Sequence, residues 1–274
     1  MLPEIDLGFA SIPLYGTLFM IGFVISVFFV AYLAAHKGIA GKTIAMAGLF
    51  GIIGIVIGAK LVYFLTVLPR IVANSVYYME MLKSDPVSFF EMAFGGMVFY
   101  GGLIGFCIGV YLYCRKFGLD FLGLSDLFTP FLPFGHAFGR LGCFCAGCCY
   151  GVEYHGLLSV HFPYNEEVPE LSEVPRLPIQ LIEAGLNFIC FGALFYILLK
   201  HLKQSGSSET GNWKKGRLLG IYLLYYIIVR FVLEFFRGDA IRGSIGFLST
   251  SQIISILLIP VVFVLIKKQR FKNP

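Results

Sequence analysis

The sequence predicts an all-α polytopic integral membrane protein of seven transmembrane helices, the fourth broken or re-entrant, with the N-terminus outside and the C-terminus in the cytoplasm. Three observations predict this. First, the 274 residues are 58% hydrophobic and only 14% charged, against about 25% charged in a soluble domain, and the mean hydropathy is +0.82. Second, seven apolar runs approach the roughly 20 residues that a membrane-spanning helix needs. Third, Lys and Arg are divided unevenly between the two sets of connections. The whole of 1–274 reads as a single transmembrane domain.

The runs follow in order. Leu14–Ala35 comes after Glu4 and Asp6 rather than a basic n-region, so it reads as a retained helix and not a cleaved signal peptide. Thr43–Leu65 carries Gly51, Gly54 and Gly58, a small-residue packing stripe. Phe94–Tyr113 is the third run. The fourth, Leu122–Phe144, contains Pro130, Pro133 and several glycines, and a broken helix is tolerated in a membrane where it lines a cavity. The Pro-rich connection 151–178 is long enough to be a cap over a site. Ile179–Leu199 is the fifth run. The connection 200–217, with QSGSSETG at Gln204–Gly211, reads as a flexible cytoplasmic loop. Leu218–Phe236 and Phe247–Ile266 complete the set.

Basic residues orient the runs. One side carries Lys37, Lys42, Arg115, Lys116, Lys200, Lys203, Lys214, Lys215, Arg217, Lys267, Lys268, Arg270 and Lys272. The other carries only Arg70, Lys83, Arg176, Arg237 and Arg242. Thirteen against five puts the C-terminus in the cytoplasm and the acidic stretch with Glu166, Glu167, Glu170 and Glu173 outside. The net charge of +5 therefore reads as a membrane-orienting charge, and no nucleic-acid partner is expected.

Ionisable groups inside spans are costly and are functional candidates by default. With this orientation they share one depth. Arg230 and Glu234 lie in the outer half of the sixth run, Arg140 near the outer end of the fourth, and Gln180 and Glu183 at the start of the fifth. Tyr15, Tyr100 and Gln252 lie in the first turns of their runs. The economical reading is one polar cavity opening to the outer side. Tyr226, Arg230, Glu234 and Arg237 are spaced to share one helix face. A self-paired ladder, with Arg237 snorkelling outward, is the bland alternative. It leaves two arginines for one glutamate, and Arg140 without an obvious partner. The pairs Gly95-Gly96 and Gly101-Gly102 permit close approach of a ligand or of another helix backbone.

Four of the seven cysteines crowd into HAFGRLGCFCAGCCYG, His136–Gly151. An odd count excludes a fully paired framework within one chain. Cys143, Cys145, Cys148 and Cys149 do not have paired zinc spacing, and no metal or cofactor is expected. Packing of small thiols, a disulfide at an oxidising outer face and metal binding are the three readings, packing first. A membrane thiol–disulfide oxidoreductase built on this cluster is the competing function, and a transporter a further one. The oxidoreductase gives the arginines no role; against an anion or lipid transporter, the polar groups stop at one membrane depth and no inverted repeat appears.

The motifs GGMVFYGGL, GRLGCFCAGCCYG, LPIQLIE (Leu177–Glu183) and YIIVRFVLEFFR (Tyr226–Arg237) occur in this order. Together they resemble the prolipoprotein diacylglyceryl transferase family over nearly the whole chain. That resemblance implies a multi-pass enzyme of the bacterial cytoplasmic (inner) membrane, its active site facing the outer side. It would move a diacylglyceryl group from phosphatidylglycerol to the lipobox cysteine of a preprolipoprotein signal peptide, forming a thioether and releasing glycerol phosphate. By position, Arg140 matches the arginine that starts the family signature and Arg230 the essential arginine of the later helix. Glu234, Arg237, Tyr226, Tyr15, Gln180 and Glu183 also fall on the family pattern. Arg140 and Arg230 would hold the phosphate, with Glu234 orienting Arg230, and Tyr100 or a donor phosphate oxygen would take the thiol proton. Cys143, Ala146 and Cys148 stand where the usual signature has Asn, Asn and Glu, and Tyr100 stands where it has His. A family paralogue with a different acceptor is compatible with those changes.

Overall fold

The computed structural model describes residues 4–6, 11–36, 38–164, 169–204, 215–238, 244–245 and 248–268. Its architecture is overwhelmingly helical. Four helices are long and apolar enough to cross a membrane: Leu14–Ala35, Gly41–Ala73, Ile179–Lys203 and Arg217–Phe236. Their outward side chains are those that lipid would cover, with Phe28, Ile57 and Ile189 each more than half exposed. The chain divides into two compact units, one of residues 1–30 and 125–274, the other of Ala31–Leu124.

In the first unit a short antiparallel hairpin, β1 (Glu4–Asp6) and β2 (Ser11–Pro13), leads directly into α1 (Leu14–Ala35). The fourth predicted run is two helices, α6 (Phe121–Phe128) and α7 (Phe131–Cys145), broken at Thr129-Pro130. The break leaves Asp126 of α6, itself buried, to accept hydrogen bonds from the Gly216 and Leu218 amides at 2.8 and 3.0 Å. A carboxylate there satisfies orphan N–H groups and meets the positive end of the helix dipole, so α6 fixes the start of α10 (Arg217–Leu233). Between them run α8 (Glu170–Glu173) and α9 (Ile179–Gln204), and after a 3₁₀ turn at Glu234–Phe236 a second hairpin, β3 (Ser244–Ile245) and β4 (Leu248–Ser249), precedes α11 (Thr250–Lys268).

In the second unit α2 (Gly41–Ala73) and α5 (Phe99–Lys116) pack backbone to backbone. A methyl group on Gly54 would meet the Gly105 carbonyl oxygen at 2.0 Å, and one on Gly58 the Gly101 oxygen at 2.2 Å. Small residues on facing helices are what allow that approach, as the stripe in the second run predicts. Between them lie α3 (Ser75–Ser84) and α4 (Pro86–Phe94). Asp85 caps α4, its carboxylate accepting from the Ser88 amide at 3.2 Å and the Ser88 hydroxyl, with Pro86 in the first turn.

The two hairpins add strands to the all-α expectation. At two or three residues per strand they are too short to show an alternating pattern. The described parts of the 151–178 connection are folded. Tyr150, Phe162 and Leu171 bury one another, with Phe144 and Val160 against them, and the Arg176 guanidinium sits 4.6 Å from the centre of the Tyr150 ring. Glu166 and Glu167 lie outside the described residues, as does the QSGSSETG loop beyond Gln204.

Candidate functional site

A small backbone knot assembles the site. The C-terminal end of α7, the entry to α9 and the exit of α10 are strapped together. The Gly151 amide donates to the Leu177 carbonyl (3.2 Å), Leu177 to Val152 (3.0 Å), Val152 to Phe236 (3.0 Å) and Gly238 to Tyr150 (3.0 Å). The strands approach so closely at Gly151 that an added methyl group would lie 2.4 Å from the Leu177 oxygen.

This knot brings the ionisable ends of three helices together. Arg140 of α7 and Glu183 of α9 form an ion pair, Nε to Oε2 at 2.9 Å, with 11% and 2% of their side chains exposed. His136, one turn before Arg140, faces the other carboxylate oxygen of Glu183 at 3.4 Å. On α10, Arg230 contacts Glu234 at 2.7 Å, the i,i+4 pair expected from the sequence, and donates to the Ser251 hydroxyl of α11 at 2.9 Å. Both contacts use Nη2. Arg230 is 3% exposed, and its Nη1 has no hydrogen-bond partner among the described residues. Glu183 feels the charges of Arg140, His136, Arg230 and Arg237, in falling order. Three guanidiniums thus gather around two carboxylates.

The other predicted residues are placed as follows. Tyr226 is buried and packs on the His136 ring, 5.8 Å between centroids. Gln180 is buried and spends its amide on the Cys148 carbonyl at 2.7 Å. Tyr15 is half exposed at the start of α1, its backbone resting on Gly142 of α7 and its hydroxyl in electrostatic reach of Arg140. Arg237 sits in the knot, bridged backbone to backbone with Gly151. Gln252 differs from the expectation that it lines the polar cavity. It forms a capping box on α11, its Oε1 accepting from the Ser249 amide (3.0 Å) while the Ser249 hydroxyl accepts from its own amide (3.2 Å).

Tyr100 and the paired glycines belong to the second unit. Tyr100 falls in the first turn of α5, and its side chain is outside the described atoms. Packing accounts for the space at three of the four glycines: Gly101 abuts the Gly58 carbonyl, Gly96 the Tyr63 ring and Gly95 the carbonyl of Glu91 in α4, the helix it follows. At Gly102 an added methyl group would meet Ile55 Cγ2 tightly, at 3.3 Å.

Sequence reasoning passed over His136 and Ser251 as site residues. His136 was legible, being four residues before Arg140 on one helix face; Ser251 was not, since only the tertiary fold brings α11 to Arg230.

At the C-terminal end of α7 the chain turns in a Schellman motif. Cys148 N donates to Cys143 O at 3.1 Å and Gly147 N to Phe144 O at 3.2 Å, with Gly147 in the left-handed region at φ 68°. The turn folds Cys148 and Cys149 back over Cys143, and the three Sγ atoms lie within 4.8 Å of one another. His155 pairs instead with Glu153, in the exposed connection.

Helices of membrane-spanning length, carrying a buried centre in which guanidiniums outnumber carboxylates, define a multi-pass membrane protein with a net cationic interior site. A sequence model of the family described as prolipoprotein diacylglyceryl transferase matches residues 4–267. A phosphatidylglycerol–prolipoprotein diacylglyceryl transferase of Clostridium tetani is 32% identical over 259 residues, 94% of each chain. The enzyme named phosphatidylglycerol–prolipoprotein diacylglyceryl transferase 2 in Clostridium perfringens is 36% identical over 199 residues, covering 71% of this chain and 72% of that one. The Rickettsia felis enzyme of the same name is 33% identical over 216 residues, 76% and 72% of the two chains. The chain belongs to the prolipoprotein diacylglyceryl transferase family.

Proposed function

We propose that this protein transfers the diacylglyceryl group of phosphatidylglycerol to the lipobox cysteine of preprolipoproteins. The observation that carries the reading is the buried excess of guanidinium, with the Arg230 Nη1 group left unspent. A buried donor without an acceptor costs about 1–3 kcal/mol, and a phosphodiester supplies the acceptor. Arginine suits this because it stays charged when desolvated and its fork matches phosphate oxygens.

In the proposed reaction the substrate thiolate attacks the glyceryl carbon that bears the phosphate. A carbon–sulfur bond forms, the carbon–oxygen bond breaks, and its electron pair stays on the phosphate of departing glycerol phosphate. Arg140 and Arg230 stabilise that developing charge, usually the largest catalytic contribution. Glu183 and His136 hold Arg140 in place, and Glu234 and Ser251 hold Arg230. Arg237 lies nearer the entrance, and Tyr15, Tyr226 and Gln180 shape the surroundings. The thiol proton goes to Tyr100 in its phenolate form or to a donor phosphate oxygen, and the close approach that the glycine pairs allow serves packing at Gly95, Gly96 and Gly101. The proposal includes seven spans in the inner membrane, with α5, the α6–α7 pair and α11 as the fifth to seventh beside the four long helices. It also includes an external N-terminus, a site open to the outer side and 151–178 as its cap. Basic-residue asymmetry supports this orientation.

Complementation tests it. A strain depleted of its own transferase should regain lipidation of a lipobox reporter when it expresses this chain, and should not with Arg140→Ala. Purified protein should release labelled glycerol phosphate only when phosphatidylglycerol and a lipobox peptide are both present. Failure of both assays with inserted, folded protein overturns the reading.

A further inference from the structure

The geometry points to a binding site for a soft d¹⁰ cation, Zn²⁺ or Cu⁺, on the thiolates of Cys143, Cys148 and Cys149. The turn that ends α7 builds this site. Cys143 is buried in the last turn of the helix, Cys149 is half-buried and Cys148 is exposed. Every Sγ of the three lies within 4.8 Å of the other two. Sulfurs around one ion at a bond length of about 2.3 Å stand about 3.8 Å apart. Closing the triad therefore requires side-chain rotation of about 1 Å, and the exposed Cys148 leaves a path for the ion to enter.

The surroundings hold the arrangement in place. Cys148 is tethered through its carbonyl to Gln180 of α9 and through its amide to Cys143. Cys149 adopts φ 59°, a left-handed backbone that non-glycine residues rarely take, and this turns its thiol toward the other two. Three sulfur ligands and no carboxylate select a soft ion over Mg²⁺ or Ca²⁺. Binding releases three thiol protons to solvent and forms three sulfur–metal bonds, with no change of oxidation state. The thiols stand outside the proposed transfer machinery, so this inference does not rest on that reading.

Cadmium serves as the probe. Full-length protein in detergent, reduced and kept anaerobic, is titrated with Cd²⁺ while the sulfur-to-cadmium charge-transfer band is followed. One Cd²⁺ should bind per chain at this site. Cys143→Ser, Cys148→Ser and Cys149→Ser should each weaken it by at least about 100-fold, more than the loss of a supporting outer residue. Cys145→Ser and Cys190→Ser should leave it unchanged. Zn²⁺ and Cu⁺ competition then decides which ion is held more tightly. Should a Ser variant fail to fold, cadmium NMR of the wild-type protein reads the ligand set directly, three sulfurs being expected. Absence of a charge-transfer band, equal sensitivity to Cys145→Ser, or a disulfide within the triad that persists in reductant would each overturn the site.

Discussion

Replacing Glu183 tests the site at its centre. Its carboxylate faces Arg140 at 2.9 Å and His136 at 3.4 Å, with only 2% of the side chain exposed. In Glu183→Ala the Arg140 guanidinium remains buried without its counter-charge, and removing one partner of a buried pair costs about 3–5 kcal/mol. Glu183→Gln keeps the volume and one acceptor, so its cost should fall to about 1.5–3 kcal/mol, the worth of a hydrogen bond to a charged group. Arg140→Ala removes the buried cation as well. The double variant Arg140→Ala/Glu183→Ala should therefore be less destabilised than the sum of the singles, by about 1–3 kcal/mol. Thermal unfolding in detergent measures all four proteins. The same set, assayed for diacylglyceryl transfer from labelled phosphatidylglycerol to a lipobox peptide, should show Glu183→Gln down about 10–100-fold, below the full loss of one charge-stabilising donor. That loss should lie mainly in kcat, because an arginine that positions the leaving group acts in the transition state. Strictly additive stabilities, or wild-type turnover in Glu183→Ala, would refute the pairing as the support of Arg140.

Arg140→Ala and Arg230→Ala should each lower transfer by about 10²–10³ while the protein still inserts. Arg→Lys should rescue poorly because a point charge does not replace the guanidinium fork, and membrane-fraction immunoblots with the same transfer assay decide this. Gly151→Ala places a methyl group 2.4 Å from the Leu177 oxygen; a cost of about 1–3 kcal/mol is expected from such overpacking, read as a lower unfolding temperature together with lost activity. A reporter fused to the C-terminus should be active only in the cytoplasm, and activity on the other side would reverse the topology. The Ser88 hydroxyl and then its amide hold the exposed Asp85 carboxyl below its usual range. That contribution is fully present above an unfolded value of about 3.9 and is lost as pH falls through the lower folded value. Amide exchange at the start of α4 should therefore quicken only in acid below about pH 4, and Asp85→Ala should quicken it at neutral pH.

The sequence reading succeeded where the signal is local. The spacing of Arg230 and Glu234 gave both the shared face and the pair itself. The prolines of the fourth run gave a break, which the structure puts at Thr129-Pro130. It was silent where distant segments meet. The partner of Arg140 is Glu183 on another helix, and both had been read only as sharing a depth. Asp126 looks from sequence like one more acid in an apolar run; its capping of α10 depends on tertiary contact. Gln252 was read from its depth in the last run alone, and the Ser-x-x-Gln capping pattern was not weighed. Spacing rules for metal sites assume paired loops, so metal binding ranked last among the readings of the cysteine cluster, whereas a single helix-ending turn through Gly147 brings three of the thiols together.

The knot at Gly151, Leu177, Phe236 and Gly238 also separates the site from the bilayer. Transmembrane helices answer a change in membrane thickness by tilting, and helices held only by side-chain packing would carry their charged residues apart as they did so. Here the ends of α7, α9 and α10 are laced by main-chain hydrogen bonds of 3.0–3.2 Å. The lacing acts as a pin: the spacing of Arg140, Glu183 and Arg230 is set at the end where the main chains of α7, α9 and α10 are joined. A membrane enzyme that must take its substrate from the bilayer thereby keeps one ruler that does not stretch with it.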